Sequence, residues 1–297
     1  MTSQANTFTF GIEIECYIPV EAANFRIGGY HAGIQIPGMP EGWNAQRDAS
    51  IQAPAGKVGV EIVSPILTGS NGLSQVSTVL EWLRGIGAGC NQSCGIHVHV
   101  GTNKQVAWKV TALVAQHEKA LFAACGAKGR TRINNMYCNG IAGNRMIRAQ
   151  FEASRTEVPF IMNVAQSRYQ TLNLTNLISG RRPAVEFRAF AATFQTEAVF
   201  GYIRLCVGLV DFAASSKAPV KYESKQADHS SSGSAQMTRL LRRLRWGKAE
   251  SKDRKRAGRG CDWGWISCES SADAKASIKY LMNRAKEFDA AAAAVVA

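Results

Sequence analysis

The chain of 297 residues is short of acidic side chains, with 22 Asp and Glu against 35 Lys and Arg, and its formal net charge is +13. It lacks an unbroken apolar run approaching the ~20 residues that a membrane-spanning helix needs. Its first seven residues, Met1 to Thr7, show neither the basic stretch nor the apolar core of a secretory leader. The expectation is a cytoplasmic protein with no membrane partner. Cysteine is sparse: the eight, at 16, 90, 94, 125, 138, 206, 261 and 268, are too scattered for a disulfide-stapled scaffold, and free thiols are expected. There is no Gly-x-Ser-x-Gly elbow and Ser64 runs straight into Pro65, which leaves a nucleophilic hydrolase nothing to rest on. No internal repeat of fixed period is present. The apolar content, 46% hydrophobic, suffices to bury a core in one large domain or two small ones.

The basic excess is concentrated. Lys221 to Gly260 holds 12 Lys and Arg against four Asp and Glu, a net of +8 out of +13. The stretch opens on the low-complexity Ala227–Ala235 and runs through Arg239–Trp246 to Lys252–Arg256. Such a block attracts phosphates. With Trp246, Trp263 and Trp265 available for stacking it makes nucleic acid a rival partner through residues 221–260. The plainer account is a solvated loop.

Four segments alternate polar and apolar residues with period two, the mark of strands with two unlike faces. In Phe10–Glu15, Glu13 and Glu15 oppose Ile12 and Ile14; in Val58–Val63, Glu61 opposes Val60 and Ile62. In Gly95–Val100, His97 and His99 oppose Ile96, Val98 and Val100; in Ala184–Phe190, Glu186 and Arg188 oppose Val185, Phe187 and Ala189. Helical spacing covers Leu73–Ile86, Lys104–Cys125 with Gly126 as its stop, Thr196–Ala214 and Ser271–Ala294. Strands interleaved with helices predict an α+β fold, a sheet with helices packed on one face and the other face open.

That open face carries unusual side chains. Residues two apart on a strand point the same way at ~6.5–7 Å, and carboxylates held so close repel unless a cation neutralises them. Carboxylates with imidazole suit Mg²⁺ or Mn²⁺, and a neighbouring arginine suits a phosphate or a carboxylate. Taken singly, each motif also fits a solvated strand face or a surface ion pair. Zinc is a rival, because Cys90, Cys94, His97 and His99 fall within ten residues, although their spacing is not that of a finger or ribbon.

The order Gly11-Ile-Glu-Ile-Glu15, Arg47-Asp-Ala-Ser50, Gly59-Val-Glu-Ile-Val-Ser-Pro65, Cys94-Gly-Ile-His-Val-His-Val100, Arg168-Tyr-Gln-Thr-Leu-Asn173 and Val185-Glu-Phe-Arg-Ala-Phe190 resembles the amidoligase family. These are carboxylate–amine ligases related to glutamine synthetase and glutamate–cysteine ligase. The resemblance spans residues 8 to 215. It implies a glutamine-synthetase-like curved antiparallel sheet enclosing an open polar funnel, and an ATP- and Mg²⁺-dependent enzyme that makes an amide or isopeptide bond through an acyl phosphate. It further implies Glu13, Glu15, Glu61, His97 and Glu186 as metal ligands, and His99 and Arg188 beside the nucleotide. Arg188 and Arg168 would stabilise the transferring group. Asp48 would bind the amine or take its proton, with Ser50 and Asn173 as further substrate contacts. The organisation expected is a catalytic domain over 8–218, a basic flexible insertion over 219–262, and a helical segment over 263–297 packing on the same domain. Tyr17 to Gly42 is expected to form a loop over the site.

Overall fold

The computed structural model of the protein describes residues 8–22, 27–133, 135–142, 167–216, 231–244 and 271–296. Its strands are β1 (Thr9–Pro19), β2 (Ile34–Gln35), β3 (Asn44–Gln46), β4 (Lys57–Val63), β5 (Leu67–Thr68), β6 (Gly95–Gly101), β7 (Leu172–Asn173) and β8 (Ala184–Ala191). Its helices among the described residues are α1 (Gly69–Gly85), α2 (Lys104–Ala123), α3 (Gly129–Arg132), α4 (Thr175–Ile178), α5 (Thr196–Ser215), α6 (Gly233–Arg243) and α7 (Ser271–Val296). The strands form one sheet ordered β2-β3-β4-β1-β6-β8-β7, with β5 beside β1. Every named strand pair is antiparallel. The fold is α+β around an open sheet, as the alternation of patterns predicts.

Period two explains the layering. Ile12, Ile14, Cys16 and Ile18 of β1 are buried, as are Val60 and Ile62 of β4, Ile96, Val98 and Val100 of β6, and Val185 and Phe187 of β8. They form one core with the apolar sides of α1, α2 and α5. Slipping β1 by one residue would send Glu13 and Glu15 into that core, so burial of the apolar face fixes which side the carboxylates take.

Helix α2 stops where the sequence predicts. Asn103 caps its start by accepting a hydrogen bond from Val106 N at 2.9 Å. Gly126 follows its end with φ +63°, and a Cβ there would lie 2.4 Å from the Arg284 guanidinium, so both conformation and space favour glycine. Helix α5 is long and apolar enough by composition to cross a membrane, although Glu197, Arg204 and Asp211 interrupt its apolar run; 72% of its apolar stretch is buried inside the fold, as in a core helix.

One finding departs from the expected organisation. Residues 231–244, within the stretch expected as a flexible basic insertion, contain α6, which buries Met237, Leu240 and Leu241 and ties Arg243 to Gln116 Oε1 at 2.6 Å. The amphipathic spacing of those apolar residues outweighs the local charge. Trp246, Trp263, Trp265 and the rest of the basic stretch lie outside the described residues. Helix α7 buries Leu281, Ala285 and Phe288 and belongs to the same layer.

The face of α2 toward α6 holds His117, 2% exposed and therefore buried, at a kink in the helix (φ −122°, ψ 15°). Burial, with Arg243 adding to it, pulls its pKa down to about 4. The neutral ring is therefore favoured by folding. Its contribution is complete above the unfolded value near 6.5 and is lost as pH falls from there toward 4, because the unfolded chain then binds the extra proton. Wild type is expected to lose ~2–3 kcal/mol more than His117→Gln between pH 7 and pH 4 in urea unfolding. Parallel pH profiles for the two proteins would show that His117 does not titrate in this way.

Candidate active site

Sheet register brings the polar residues of β1, β3, β4, β6, β7 and β8 onto one patch. Glu15 stands directly opposite Glu61, with Gln46 on the far side of Glu61. Glu13 stands opposite His97. His99 stands opposite Glu186, which in turn faces Asn173. Like charges facing each other across a ladder are destabilising, so the Glu15–Glu61 pairing costs stability unless a cation sits between them or one of the two holds a proton.

Hydrogen bonds and ion pairs lock these side chains in place. Glu13 Oε2 is 3.1 Å from His97 Nδ1, and Glu13 Oε1 is 3.0 Å from His99 Nε2. Glu15 accepts from Gly95 N at 2.5 Å. Gln46 donates to Glu61. Arg188 donates to Glu186, and its guanidinium lies 3.3 Å from His97 Nδ1. Asn173 donates to the other oxygen of Glu186 at 2.6 Å, while its own oxygen accepts from Thr175 N at 2.9 Å. Asn173 thereby orients Glu186, and it also lines the cavity where it was expected as a substrate contact, with a second amide hydrogen beyond the one given to Glu186. The short strand β7 imposes this through its pairing with β8.

The electrostatics follow from crowding. Burial pushes Glu61 up to about 8, and the charges of Glu13 and Glu15 push it further the same way against the hydrogen bond from Gln46. Burial also acts on Glu13, yet His99 and His97 hold it well below the usual carboxylate range. Glu186 is lowered too, since His99 and Arg188 overcome its burial. Burial disfavours the charged form of His99, but Glu13 and Glu186 raise it to about 9. Four buried or half-buried carboxylates thus share the cations available to them, and one of them is driven to hold a proton.

Three overlapping groups of donor atoms, each within 4.8 Å of one another, follow from this packing: Glu13, Glu61 and His97; Glu13, His99 and Glu186; Glu15, Asp48 and Glu61. The oxygen-rich donor sets fit a hard divalent cation better than zinc. His99 Nε2 is in keeping with that fit: it is buried 3.0 Å from Glu13 without an aligned hydrogen bond. His99, expected beside the nucleotide, and Asp48, expected at the substrate, are both in these groups. No such group among the described residues includes a cysteine. Cys94 is buried in the apolar core and Cys90 Sγ turns to Ala192 O at 3.2 Å, because the strand after Gly95 keeps His97 and His99 on the opposite face. The zinc alternative loses its thiols.

Two cavities open on this patch. One, of about 470 Å³, is lined by Glu13, Glu61, His99, Glu186, Arg181 and Arg182 among others. The second, of about 490 Å³, is lined by Arg47, Ser50, Ser93, Arg132, Tyr137 and Tyr169 among others. Glu15, Tyr30, Asp48, His97, Arg168 and Arg188 line both, so these six mark the junction. Arg168 donates to Tyr30 Oη at 2.6 Å, which places the turn at Tyr30 and His31 on the site; the stretch expected as a loop begins inside β1 and also holds β2.

Sequence reading missed several contributors. Arg181 and Arg182 are exposed at the first cavity; the only clue was a Gly-Arg-Arg-Pro turn just before the strand of Glu186. Glu118 is a buried carboxylate on α2 that accepts from Ile141 N at 2.7 Å, from Ala142 N at 3.2 Å and from the Thr171 hydroxyl. Thr171 O in turn accepts from Arg188 N at 2.8 Å. Glu118 so anchors the segments that deliver Arg168 and Arg188, and no local pattern in a long apolar helix announces it.

Comparison with curated proteins gives no match. A family model described as "Putative amidoligase enzyme" matches residues 39–210, a span that holds Asp48, Glu61, both histidines, Arg168, Glu186 and Arg188 but not Glu13 and Glu15 of β1. Since that match covers more than half of the 297 residues and carries the histidine strand and the Glu186–Arg188 strand of the site, the chain belongs to the amidoligase family.

Proposed function

We propose that the protein is an ATP- and Mg²⁺-dependent carboxylate–amine ligase with a glutamine-synthetase-like arrangement of its sheet. The observation that carries the reading is the combination of three interlocking donor groups with two exposed arginines, Arg181 and Arg182, at the same cavity. Among the described residues neither guanidinium has an ion-pair or side-chain hydrogen-bond partner. Free arginines over a carboxylate-lined floor suit a polyphosphate bridged to divalent cations.

In this reading Glu13, Glu15, Glu61, His97, His99 and Glu186 hold the Mg²⁺ ions. Bound Mg²⁺, or Mn²⁺, supplies charge neutralisation for the phosphates and for the reacting carboxylate. Arg181 and Arg182 bind the phosphates, and the cavity with Asp48 and Ser50 receives the carboxylate and amine substrates. At the junction Arg188, fixed by Glu186, and Arg168, fixed by Tyr30, stabilise the γ-phosphoryl group as it passes to a carboxylate oxygen, leaving ADP and an acyl phosphate. The amine nitrogen then attacks the acyl carbon, inorganic phosphate leaves, and the nitrogen loses its proton. Asp48 Oδ1 is tied to Ser50 N at 2.7 Å, which holds its carboxylate facing the cavity as acceptor for that proton or counter-ion for the incoming ammonium.

The test is calorimetric titration of the full chain with a non-hydrolysable ATP analogue, with and without Mg²⁺. Binding is expected only with Mg²⁺, and Arg181→Ala and Arg182→Ala are each expected to weaken it about tenfold. Binding indifferent to Mg²⁺, or absent from wild type, would remove the nucleotide assignment.

A further inference from the structure

The two cavities differ in their rims. The Arg181 cavity is lined mainly by charged and polar side chains, with Val63 and Tyr30 among them. The Asp48 cavity, at about 490 Å³, falls within the ~300–1,000 Å³ that buries ligands of drug size, and its mouth is aromatic. Tyr30, Tyr137 and Tyr169 line it while remaining 52%, 43% and 40% exposed, and Met136, in the same turn as Tyr137, is 67% exposed. Six large apolar side chains are exposed among the described residues, and these are four of them. Exposed aromatics scattered singly need no explanation, but a cluster at the entrance of a cavity marks a binding surface.

This rim is preorganised. The Tyr137 and Tyr169 rings meet edge to face at 5.7 Å. The Arg168 guanidinium lies 5.2 Å from the Tyr169 ring centroid and also holds the Tyr30 hydroxyl. Asn139 N donates to Tyr169 O at 2.8 Å and Thr171 N donates to Asn139 O at 2.9 Å, which clips the two tyrosine segments together above the Glu118 anchor. A rim fixed in advance loses little freedom when a ligand lies along it. The charge beside it is positive: Arg47 is exposed with no ion-pair or side-chain hydrogen-bond partner among the described residues, and Arg168 stands next to it on the same cavity.

We propose that the carboxylate substrate is carried by an acidic peptide. The reacting carboxylate enters the cavity past Arg47 and Arg168, and the residues before it lie across Tyr137, Tyr169 and Tyr30. The inference rests on the ligase reading for the activation of that carboxylate and adds the class of molecule that bears it. A free amino acid would occupy the charged floor and leave the tyrosines uncovered. Single-stranded nucleic acid would use the same arginines and stack on the same rings, but it has no carboxylate to activate.

The experiment is fluorescence anisotropy of a labelled hexapeptide ending in three glutamates, with the full chain, Mg²⁺ and the ATP analogue. Saturable binding is expected, weakened about tenfold or more by Arg47→Ala and by the Tyr137→Ala, Tyr169→Ala double variant, each shown to be folded by an unchanged melting temperature. A glutamine version of the peptide with an amidated end is expected not to bind, and free glutamate to compete about a hundredfold less well than the unlabelled peptide. Equal competition by free glutamate, unchanged binding in the tyrosine variant, or displacement by an oligonucleotide at lower concentration would each overturn the proposal. Calorimetry with the ATP analogue on the same samples separates the two levels: analogue bound without peptide refutes the peptide alone, and neither bound refutes the ligase reading as well.

Discussion

Glu13→Gln is expected to cut Mg²⁺-dependent ATP turnover by about 10³-fold or more while leaving the melting temperature within a few degrees of wild type. Glu13 belongs to two of the three donor groups, with Glu61 and His97 on one side and His99 and Glu186 on the other. Glu13 lies 3.1 Å from His97 and 3.0 Å from His99, closer to His97 than Glu186 at 3.5 Å. Glutamine preserves the shape of the side chain and one oxygen for hydrogen bonding, so the fold keeps its contacts while the site loses a charge that two metals would share. The loss should show both in steady-state ADP release and in the Mg²⁺ dependence of analogue binding. Glu186→Gln should behave alike, since Asn173 and Arg188 both hold that carboxylate. Turnover equal to wild type in both variants would remove the metal assignment. A large fall in melting temperature would instead assign Glu13 to the stability of the histidine strand.

Arg188→Lys should split binding from turnover. Arg188 is held by Glu186 and lies on both cavities, so in the proposed reaction it would face the point where phosphoryl donor and acceptor meet. Lysine keeps the charge but loses the planar fork that engages two groups at once. Turnover is expected to fall about 10²- to 10³-fold with analogue affinity changed no more than a few-fold, the mark of an interaction made in the transition state. A parallel loss of affinity would move Arg188 to the nucleotide-binding group, and no loss in either would free it of any role in the reaction.

The architecture of the site concentrates an electrostatic cost that the rest of the fold sustains. Glu15 opposite Glu61, and a Glu61 that burial and its neighbours drive to about 8, are poor choices for stability alone. The apolar face behind them, with Ile12, Ile14, Ile62, Ile96 and Val98 all but fully buried, holds the strands in register regardless. A substrate-linked cation would relieve the repulsion, so metal binding would be coupled to stability through the same carboxylates.

The alternation of Glu13, Glu15, Glu61, His97, His99, Glu186 and Arg188 with buried aliphatics was enough, by itself, to place all seven on one face of a sheet, because a period of two admits no other arrangement once the apolar face is buried. Helix stops such as Gly126 were equally local, since a left-handed turn selects glycine at a single position. Which of the seven touch was decided only by register and strand order: β1 lies between β4 and β6 although residues 20–56 separate it from the first and residues 20–94 from the second, and the pairings put Glu15 against Glu61 and His99 against Glu186. Two- and three-residue strands such as β3 and β7 have no period to read, so the parts played by Gln46 and Asn173 emerged only from pairing. Tyr30, Tyr137, Tyr169, Arg181 and Arg182 sit in turns, where no repeat relates a residue to a face, and it is the packing of those turns on the sheet, anchored through buried groups such as Glu118, that brings them to the cavities.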